Sequence, residues 1–178
     1  MIRWILGRGI RAFGRKYHYD VSYMLDVLEV SASAGARLAF FPRYMGPKPA
    51  RDVVAGAYLA STLDGDCGPC AQLVVDMWAG AGTSTQALRA CADGRADKAG
   101  DTGLGYRFAQ AALAGLPEAD SLADKIAAKY GKQARVAASF AAAAGRFYPV
   151  FKRGMGHGQA CQRLVFDGQE ELVIKAYG

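Results

Sequence analysis

Two cysteines separated by two residues are the side chains in this sequence best suited to chemistry. Cys67 and Cys70 lie in the segment Asp66-Cys67-Gly68-Pro69-Cys70. If this segment begins a helix, the two Cα atoms lie about 5–6 Å apart, within disulfide range without movement of the backbone. The spacing therefore predicts a pair that alternates between a dithiol and a disulfide.

The expected start of a helix at this pair predicts separate roles for the two cysteines. Asp66 is placed to cap the helix, which puts Cys67 at the exposed end and Cys70 one turn further in. The unsatisfied amide groups and the positive end of the helix dipole would stabilise a thiolate at Cys67 and lower its pKa. Pro69 fits the first turn, where its missing N–H costs no hydrogen bond. We therefore expect Cys67 to attack a disulfide or peroxide and Cys70 to resolve the intermediate.

Two other interpretations of the pair stay open at the level of sequence. Cys67 and Cys70 could supply half of a zinc site, with His157 and Cys161, spaced i, i+4, as the other half. They could instead be buried cysteines without chemistry, which is also the simplest expectation for Cys91. The zinc content of purified, unoxidised protein distinguishes the redox interpretation from the zinc interpretation.

Three further side chains are candidates for proton transfer near the pair. Asp66 is the nearest carboxylate, although a capping role suits it better than that of a base. Tyr58 lies nine residues before Cys67 and either faces the pair or packs in the core. His157, in a glycine-rich turn, is the best remaining proton carrier. The predicted site is therefore Cys67, Cys70, Asp66, Tyr58 and His157, with no bound cofactor and no metal.

The distribution of charge argues against a nucleic-acid partner. The chain has 22 basic and 16 acidic residues, a formal net charge of +6. Residues 1–16 hold five of the basic residues and no acidic one, which leaves 17 basic against 16 acidic residues in the rest. A protein that binds nucleic acid needs a basic face on its body, and this body is nearly neutral.

The basic segment at residues 1–16 has the pattern of an amphipathic helix. Its apolar residues fall on one helical stripe, with arginines elsewhere. Such a helix docks on the core or on another subunit, or it lies on a membrane surface. The sequence shows neither an apolar run long enough to span a membrane nor a secretion signal, so a cytoplasmic location is expected. In a reducing compartment a CxxC pair is more often catalytic or metal-binding than structural.

The remaining pattern predicts an all-α protein, compact and built from several helices, with a single domain over residues 1–178. The helical core spans residues 20–160, and a small β-hairpin is expected over 163–176, with its turn at Asp167-Gly168. Helices are predicted over 20–40, 50–63, 67–78, 84–92, 102–115, 120–130 and 133–148. Pro149 is expected to end or kink the last one.

The context of the cysteine pair resembles one family more than another. Cys-Gly-Pro-Cys is also the active-site sequence of thioredoxins, but there it follows a buried strand, whereas residues 55–61 here read as helix. The stretch from Ala57 through the cysteines to Leu73 resembles the CxxC-bearing branch of the alkylhydroperoxidase D and carboxymuconolactone decarboxylase superfamily. The resemblance covers roughly residues 20–160, but the stretch around the cysteines that is specific to this family is short.

This resemblance implies an all-helical bundle with the CxxC at a helix N-terminus, assembled as a trimer or hexamer. It also implies peroxide reduction or electron transfer between disulfides, driven by an external thiol or dithiol reductant. Peroxidase members carry a Glu twelve residues before the first cysteine and a His four after the second. Ala55 and Val74 occupy those positions here. Because neither can transfer a proton, disulfide exchange is expected to be less affected than peroxide reduction.

The sequence thus predicts an oxidoreductase of the peroxidase or disulfide reductase type that forms a homo-oligomer. The alternative is a non-enzymatic helical binding module, with a Cys/His zinc site or an N-terminal helix on a membrane surface. A lyase or isomerase like the decarboxylase branch is the least expected, because that branch lacks the cysteine pair.

Overall fold

The computed structural model describes residues 2–40, 44–158 and 163–172. Within them the chain is mostly helical and ends in a two-stranded antiparallel hairpin, which confirms the predicted fold class. The helices are α1 (Ile2–Tyr17), α2 (Ser22–Val30), α3 (Ala32–Phe40), α4 (Arg51–Asp64), α5 (Gly68–Gly80), α6 (Thr85–Ala92), α7 (Gly100–Leu113), α8 (Glu118–Tyr130) and α9 (Lys132–Gly154). Short 3-10 helices lie at Lys48–Ala50 and Ala96–Lys98, and the strands are β1 (Arg163–Phe166) and β2 (Gln169–Leu172). No helix in these residues is long and apolar enough to cross a membrane.

Helix α4 is the centre of the packing. Residues 53–62 are all buried, so this helix has no polar face turned to solvent. A helix that is apolar all round is stable only when other elements surround it. Helices α7 and α9 pack along it on two sides, and α5 follows it after a tight turn.

Glycines let the backbones of α4 and α7 touch. A Cβ atom on Gly56 would lie 1.8 Å from the carbonyl oxygen of Thr102, and one on Gly105 would lie 1.8 Å from that of Val53. Real side chains do not approach so closely, so both positions require glycine. The contact fixes the distance between the two helices and thereby the position of α4.

The predicted helix over 20–40 is divided in two at Ser31. Ser31 is extended, with φ −148° and ψ 112°, and its N–H still bonds the carbonyl oxygen of Val27 at the end of α2. Its hydroxyl then accepts a hydrogen bond from the N–H of Ala34 and begins α3. A serine that bonds the backbone locally competes with helix continuation, which is why the single helix was a wrong prediction.

The end of α9 also differs from the prediction. The helix does not stop at Pro149 but continues to Gly154. Pro149 is buried and lies so close to Gly65 that a Cβ there would meet the proline ring at 2.7 Å. This packing offsets the hydrogen bond that the proline removes. The extra turns bring Phe151 and Lys152 to the region of the cysteines.

The predicted hairpin is confirmed, with its strands on either side of the expected turn. Asp167 and Gly168 have φ values of 50° and 79°, as a two-residue turn with both residues left-handed requires. Leu164 and Phe166 are buried against the helical core. The predicted residues 173–176 lie outside the described part of the chain, as does Cys161.

Candidate functional site

A three-residue turn between α4 and α5 positions the cysteine pair. The N–H of Asp66 donates to the carbonyl oxygen of Leu63 at 3.0 Å, and Asp66 has a left-handed φ of 55°. Cys67 is then extended and occupies the N-cap position of α5, whose first residue is Gly68. Asp66 is therefore not the N-cap residue that the sequence predicts, because Cys67 takes that position.

The two cysteine sulfurs are bonded as a disulfide, with the Cα atoms 5.3 Å apart. This agrees with the distance that the i, i+3 spacing predicts. Their environment does not agree, because Cys67 is only 6% exposed and Cys70 only 4%. The expectation of an exposed Cys67 was wrong because α1, α2, α3 and the end of α9 pack over the first turn of α5.

An aromatic cluster covers the disulfide. It contains the buried Tyr19 and Tyr23, whose ring centroids are 6.4 Å apart in an edge-to-face arrangement, together with Phe151 at 6.5 Å from Tyr23. The hydroxyl group of Tyr19 lies 3.5 Å from the Sγ of Cys70, a hydrogen bond to sulfur. Burial raises the pKa of Tyr19, so this hydroxyl keeps its proton and can donate it to a thiolate.

Lys152 completes the cluster with a buried positive charge. It is only 4% exposed, and its Nζ stands 5.0 Å from the ring centroid of Tyr19 and 5.5 Å from that of Tyr23. The cation–π contacts partly replace the lost hydration, while burial still lowers the pKa of Lys152. Sequence reasoning missed this residue. The signal available was a lysine on the apolar side of α9, next to Phe151 and one turn after Tyr148.

A cavity of about 490 Å³ lies beside the disulfide, and Cys70 forms part of its wall. The walls come from α1, α2, α3, α4, α5 and α9 and are mainly aromatic, aliphatic and thioether side chains. The aromatic members are Phe13, Tyr19, Tyr23, Tyr58, Trp78 and Tyr148, and the methionines are Met24, Met45 and Met77. Among the described residues that line it, none carries a charge.

The structure brings together some of the predicted site residues and separates others. Tyr58 lines the same cavity as Cys70, with its ring centroid 6.0 Å from that of Trp78, and burial raises its pKa to about 12. His157 instead bonds helix α2, with its Nε2 2.9 Å from Asp26 and its Nδ1 3.3 Å from the hydroxyl of Ser22. It is not among the cavity residues, although its ring centroid lies 6.4 Å from that of Tyr23 in the aromatic cluster. Its hydrogen bonds are those of an anchor for the segment that follows α9.

The two positions that the resemblance matches to a proton relay, Ala55 and Val74, and the cysteine Cys91 have apolar surroundings. Ala55 is fully buried, and Val74 lines the cavity. Within the described ranges, no three His, Cys, Asp or Glu side chains are grouped as metal ligands would be. Cys91 is buried and its pKa is raised to about 12 by desolvation, as expected of a core cysteine.

Comparison of the chain with protein-family models, curated proteins and solved structures finds no match. The function is therefore argued from the disulfide, the cavity beside it and the groups that contact the two sulfurs. The hydroxyl of Tyr19 contacts the Sγ of Cys70, Cys70 lies on the wall of the cavity, and Cys67 occupies the N-cap position of α5.

Proposed function

We propose that this protein is a thiol–disulfide oxidoreductase of the alkylhydroperoxidase D-like kind, acting through Cys67 and Cys70. The observation that carries the proposal is a disulfide at the start of α5 with one sulfur on the wall of a cavity. A purely structural disulfide across one helical turn would link residues only three apart and would restrict the unfolded chain little. A role in redox exchange therefore explains the pair better than a contribution to the stability of the fold.

The cycle that we propose uses an external dithiol as reductant. A thiolate of the reductant attacks the Sγ of Cys67, the Cys67–Cys70 bond breaks, and Cys70 leaves as a thiolate. The second thiol of the reductant then displaces Cys67, so that the reductant becomes a disulfide and the protein a dithiol. In the forward direction Cys67 attacks the substrate and Cys70 closes the disulfide. The hydroxyl of Tyr19 stabilises the Cys70 thiolate in both directions.

The resemblance also supports two finer proposals. We propose that the protein assembles as a homotrimer or homohexamer, and that peroxides are poorer substrates than disulfides. The second follows from Ala55 and Val74, since neither can protonate the alkoxide that leaves when an O–O bond breaks.

The test is a redox titration of the whole protein against defined ratios of reduced and oxidised dithiothreitol. We expect Cys67 and Cys70 to gain and lose two hydrogen atoms reversibly, as followed by thiol titre and intact mass. A disulfide that stays closed in the folded protein under excess dithiothreitol would contradict the proposed function.

Replacing Tyr19 with Phe should make the disulfide harder to reduce. The variant loses the donor that stabilises the Cys70 thiolate, and we expect the midpoint potential to fall by about 30 mV, equivalent to about 1.4 kcal/mol. Tyr17→Phe is the matched control, because Tyr17 packs in the same cluster while its ring contacts Phe13 and Lys16. Equal potentials for both variants and the wild type would remove Tyr19 from the mechanism.

One observation favours a second candidate function, peripheral attachment to a membrane through α1. Ile2, Trp4 and Ile5 are 61%, 64% and 57% exposed, and the basic residues of α1 accompany them. An apolar and basic helix of this kind binds anionic lipid surfaces. Sedimentation of the whole protein with phosphatidylserine vesicles, and its loss in Trp4→Glu, would support this function.

A further inference from the structure

We propose that the cavity beside Cys70 is the substrate site of the redox pair and that it takes an uncharged lipophilic quinone, which the Cys67–Cys70 dithiol reduces to the hydroquinone. This inference rests on the proposed function, because it requires that the disulfide cycles. It goes further by naming the oxidant and the side from which the oxidant reaches the sulfurs.

Size and burial point to a small molecule and not a protein. The cavity of about 490 Å³ falls in the range that drug-sized ligands fill. Both cysteines are almost completely covered, so a disulfide on the surface of another protein cannot approach Cys70 without displacing the aromatic cluster. A molecule already inside the cavity lies against Cys70 without such a displacement.

The chemistry of the walls selects an uncharged and flat ligand. None of the described lining residues carries a charge, and the ammonium group of Lys152 contacts the rings of Tyr19 and Tyr23 without lining the cavity itself. A charged ligand inside would therefore lose its hydration without gaining an ion pair at the wall. Six aromatic rings and three methionine thioethers provide polarisable faces, against which a flat ring system packs well.

One buried polar group is available to a ligand oxygen. Tyr23 lines the cavity and is completely buried, and its hydroxyl lies near that of Tyr19 but makes no hydrogen bond of good geometry with a described residue. Buried hydroxyls nearly always have a partner. The carbonyl oxygen of a quinone would accept a hydrogen bond from this group and would gain stabilisation as charge accumulates on it during reduction.

The reaction balances without an acid of the kind that peroxide cleavage needs. As the Cys67–Cys70 bond forms, the dithiol gives up two electrons and two protons. Because Cys70 and not Cys67 lines the cavity, the two cysteines exchange roles towards this substrate: the Cys70 thiolate adds to a ring carbon of the quinone, and Cys67 then attacks the Sγ of Cys70. The S–C bond breaks as the S–S bond forms, its electron pair stays on the ring, and both thiol protons end on the two oxygens, so quinone and dithiol become hydroquinone and disulfide. The negative charge of the reduced quinone is delocalised over its ring and oxygens, so the oxygens do not have to be protonated as the electrons arrive. Reduction of an O–O bond creates an alkoxide, and the cavity lining offers no carboxylic acid or histidine to protonate it.

The test separates binding from electron transfer. Duroquinone is the probe, because its ring carries four methyl groups and therefore has no free position at which a thiol could attach permanently. Trp4→Phe removes the exposed tryptophan and leaves Trp78, in the cavity wall, to report on occupancy by fluorescence. We expect saturable quenching of the oxidised protein by duroquinone, and no saturable quenching by anthraquinone-2-sulfonate, which is charged.

A matched pair of tyrosine variants locates the polar contact. In the Trp4→Phe background, Tyr23→Phe should weaken duroquinone binding by about tenfold, the usual loss for one buried hydrogen bond. Tyr17→Phe removes the hydroxyl of a tyrosine that packs in the neighbouring apolar cluster but does not line the cavity, and it should leave the affinity unchanged. Equal affinities of the two variants would remove Tyr23 from the site.

The second arm mixes the reduced protein with duroquinone and follows hydroquinone and thiol titre. We expect one hydroquinone per disulfide formed, at a rate that saturates with duroquinone. Absence of saturable binding, binding without electron transfer, or faster oxidation by cumene hydroperoxide would each overturn the proposal. If dithiothreitol still cycles the disulfide in those cases, only the quinone site fails and the proposed function stands.

Discussion

Replacing Cys67 with Ser is expected to reduce disulfide exchange to the level of a protein without the pair, whereas Cys70→Ser should accumulate a stable mixed disulfide. The reason is the order of events in the proposed cycle. Without Cys67 no thiolate attacks the external disulfide, while without Cys70 the attack succeeds and nothing resolves the product. The measurement is the rate of reduction of a small disulfide by the pre-reduced variants, with intact mass to detect the adduct.

Cys91→Ser provides the control for this pair of variants. Cys91 is buried in the main core, away from the disulfide, and its pKa of about 12 keeps it protonated. Its replacement should leave the exchange rate unchanged. Wild-type rates in Cys67→Ser would contradict the assignment. A mixed disulfide that forms only in Cys67→Ser would reverse the roles of the two cysteines.

The second large effect is expected at the glycine contact between α4 and α7. Gly56→Ala places a Cβ where the carbonyl oxygen of Thr102 already lies, so the two helices must separate along their length. We expect the free energy of unfolding to fall by about 3 kcal/mol, at the upper end for an overpacked core. For a chain of this size that corresponds to a decrease in Tm of about 6–12 °C, measurable by calorimetry or circular dichroism.

Gly80→Ala is the matched control for that substitution. Gly80 ends α5, and a Cβ there would meet no atom within 4 Å. The same chemical change should therefore alter the free energy of unfolding by less than about 0.5 kcal/mol. If both variants have the Tm of the wild type, the close contact between α4 and α7 does not contribute to the stability of the core.

Local patterns were sufficient to predict much of the fold. The Cα distance between Cys67 and Cys70 and the hairpin turn at Asp167 depend on residues within a few positions, and both agree with the structure. The helical stretches were also predicted closely, because alanine-rich runs favour helix whatever lies around them. The division at Ser31 is local as well, but a single serine in a helical run does not reveal its extended backbone.

The surroundings of the cysteines could not be predicted because they come from distant segments. Burial of Cys67 depends on α1 to α3 and on α9 running past Pro149, and sequence rules favour ending a helix there. Lys152 reaches the aromatic cluster only through that extension. Six helices contribute to the wall of the cavity next to Cys70, and no pattern of residue spacing in the sequence predicts that they meet there.

The contact between Gln72 and the hairpin has a consequence for how this protein behaves at high concentration. The side chain of Gln72 accepts from the N–H of Val165 at 2.7 Å and donates to its carbonyl oxygen at 3.0 Å, as a neighbouring strand would. Val165 and Glu170 form a non-hydrogen-bonded pair of the antiparallel ladder, so the backbone N–H and C=O of Val165 point away from β2. They belong to the outer edge of β1. An open edge is a template on which strands of other molecules can add. By occupying that edge, one amide two residues after Cys70 protects the hairpin from intermolecular β-sheet growth.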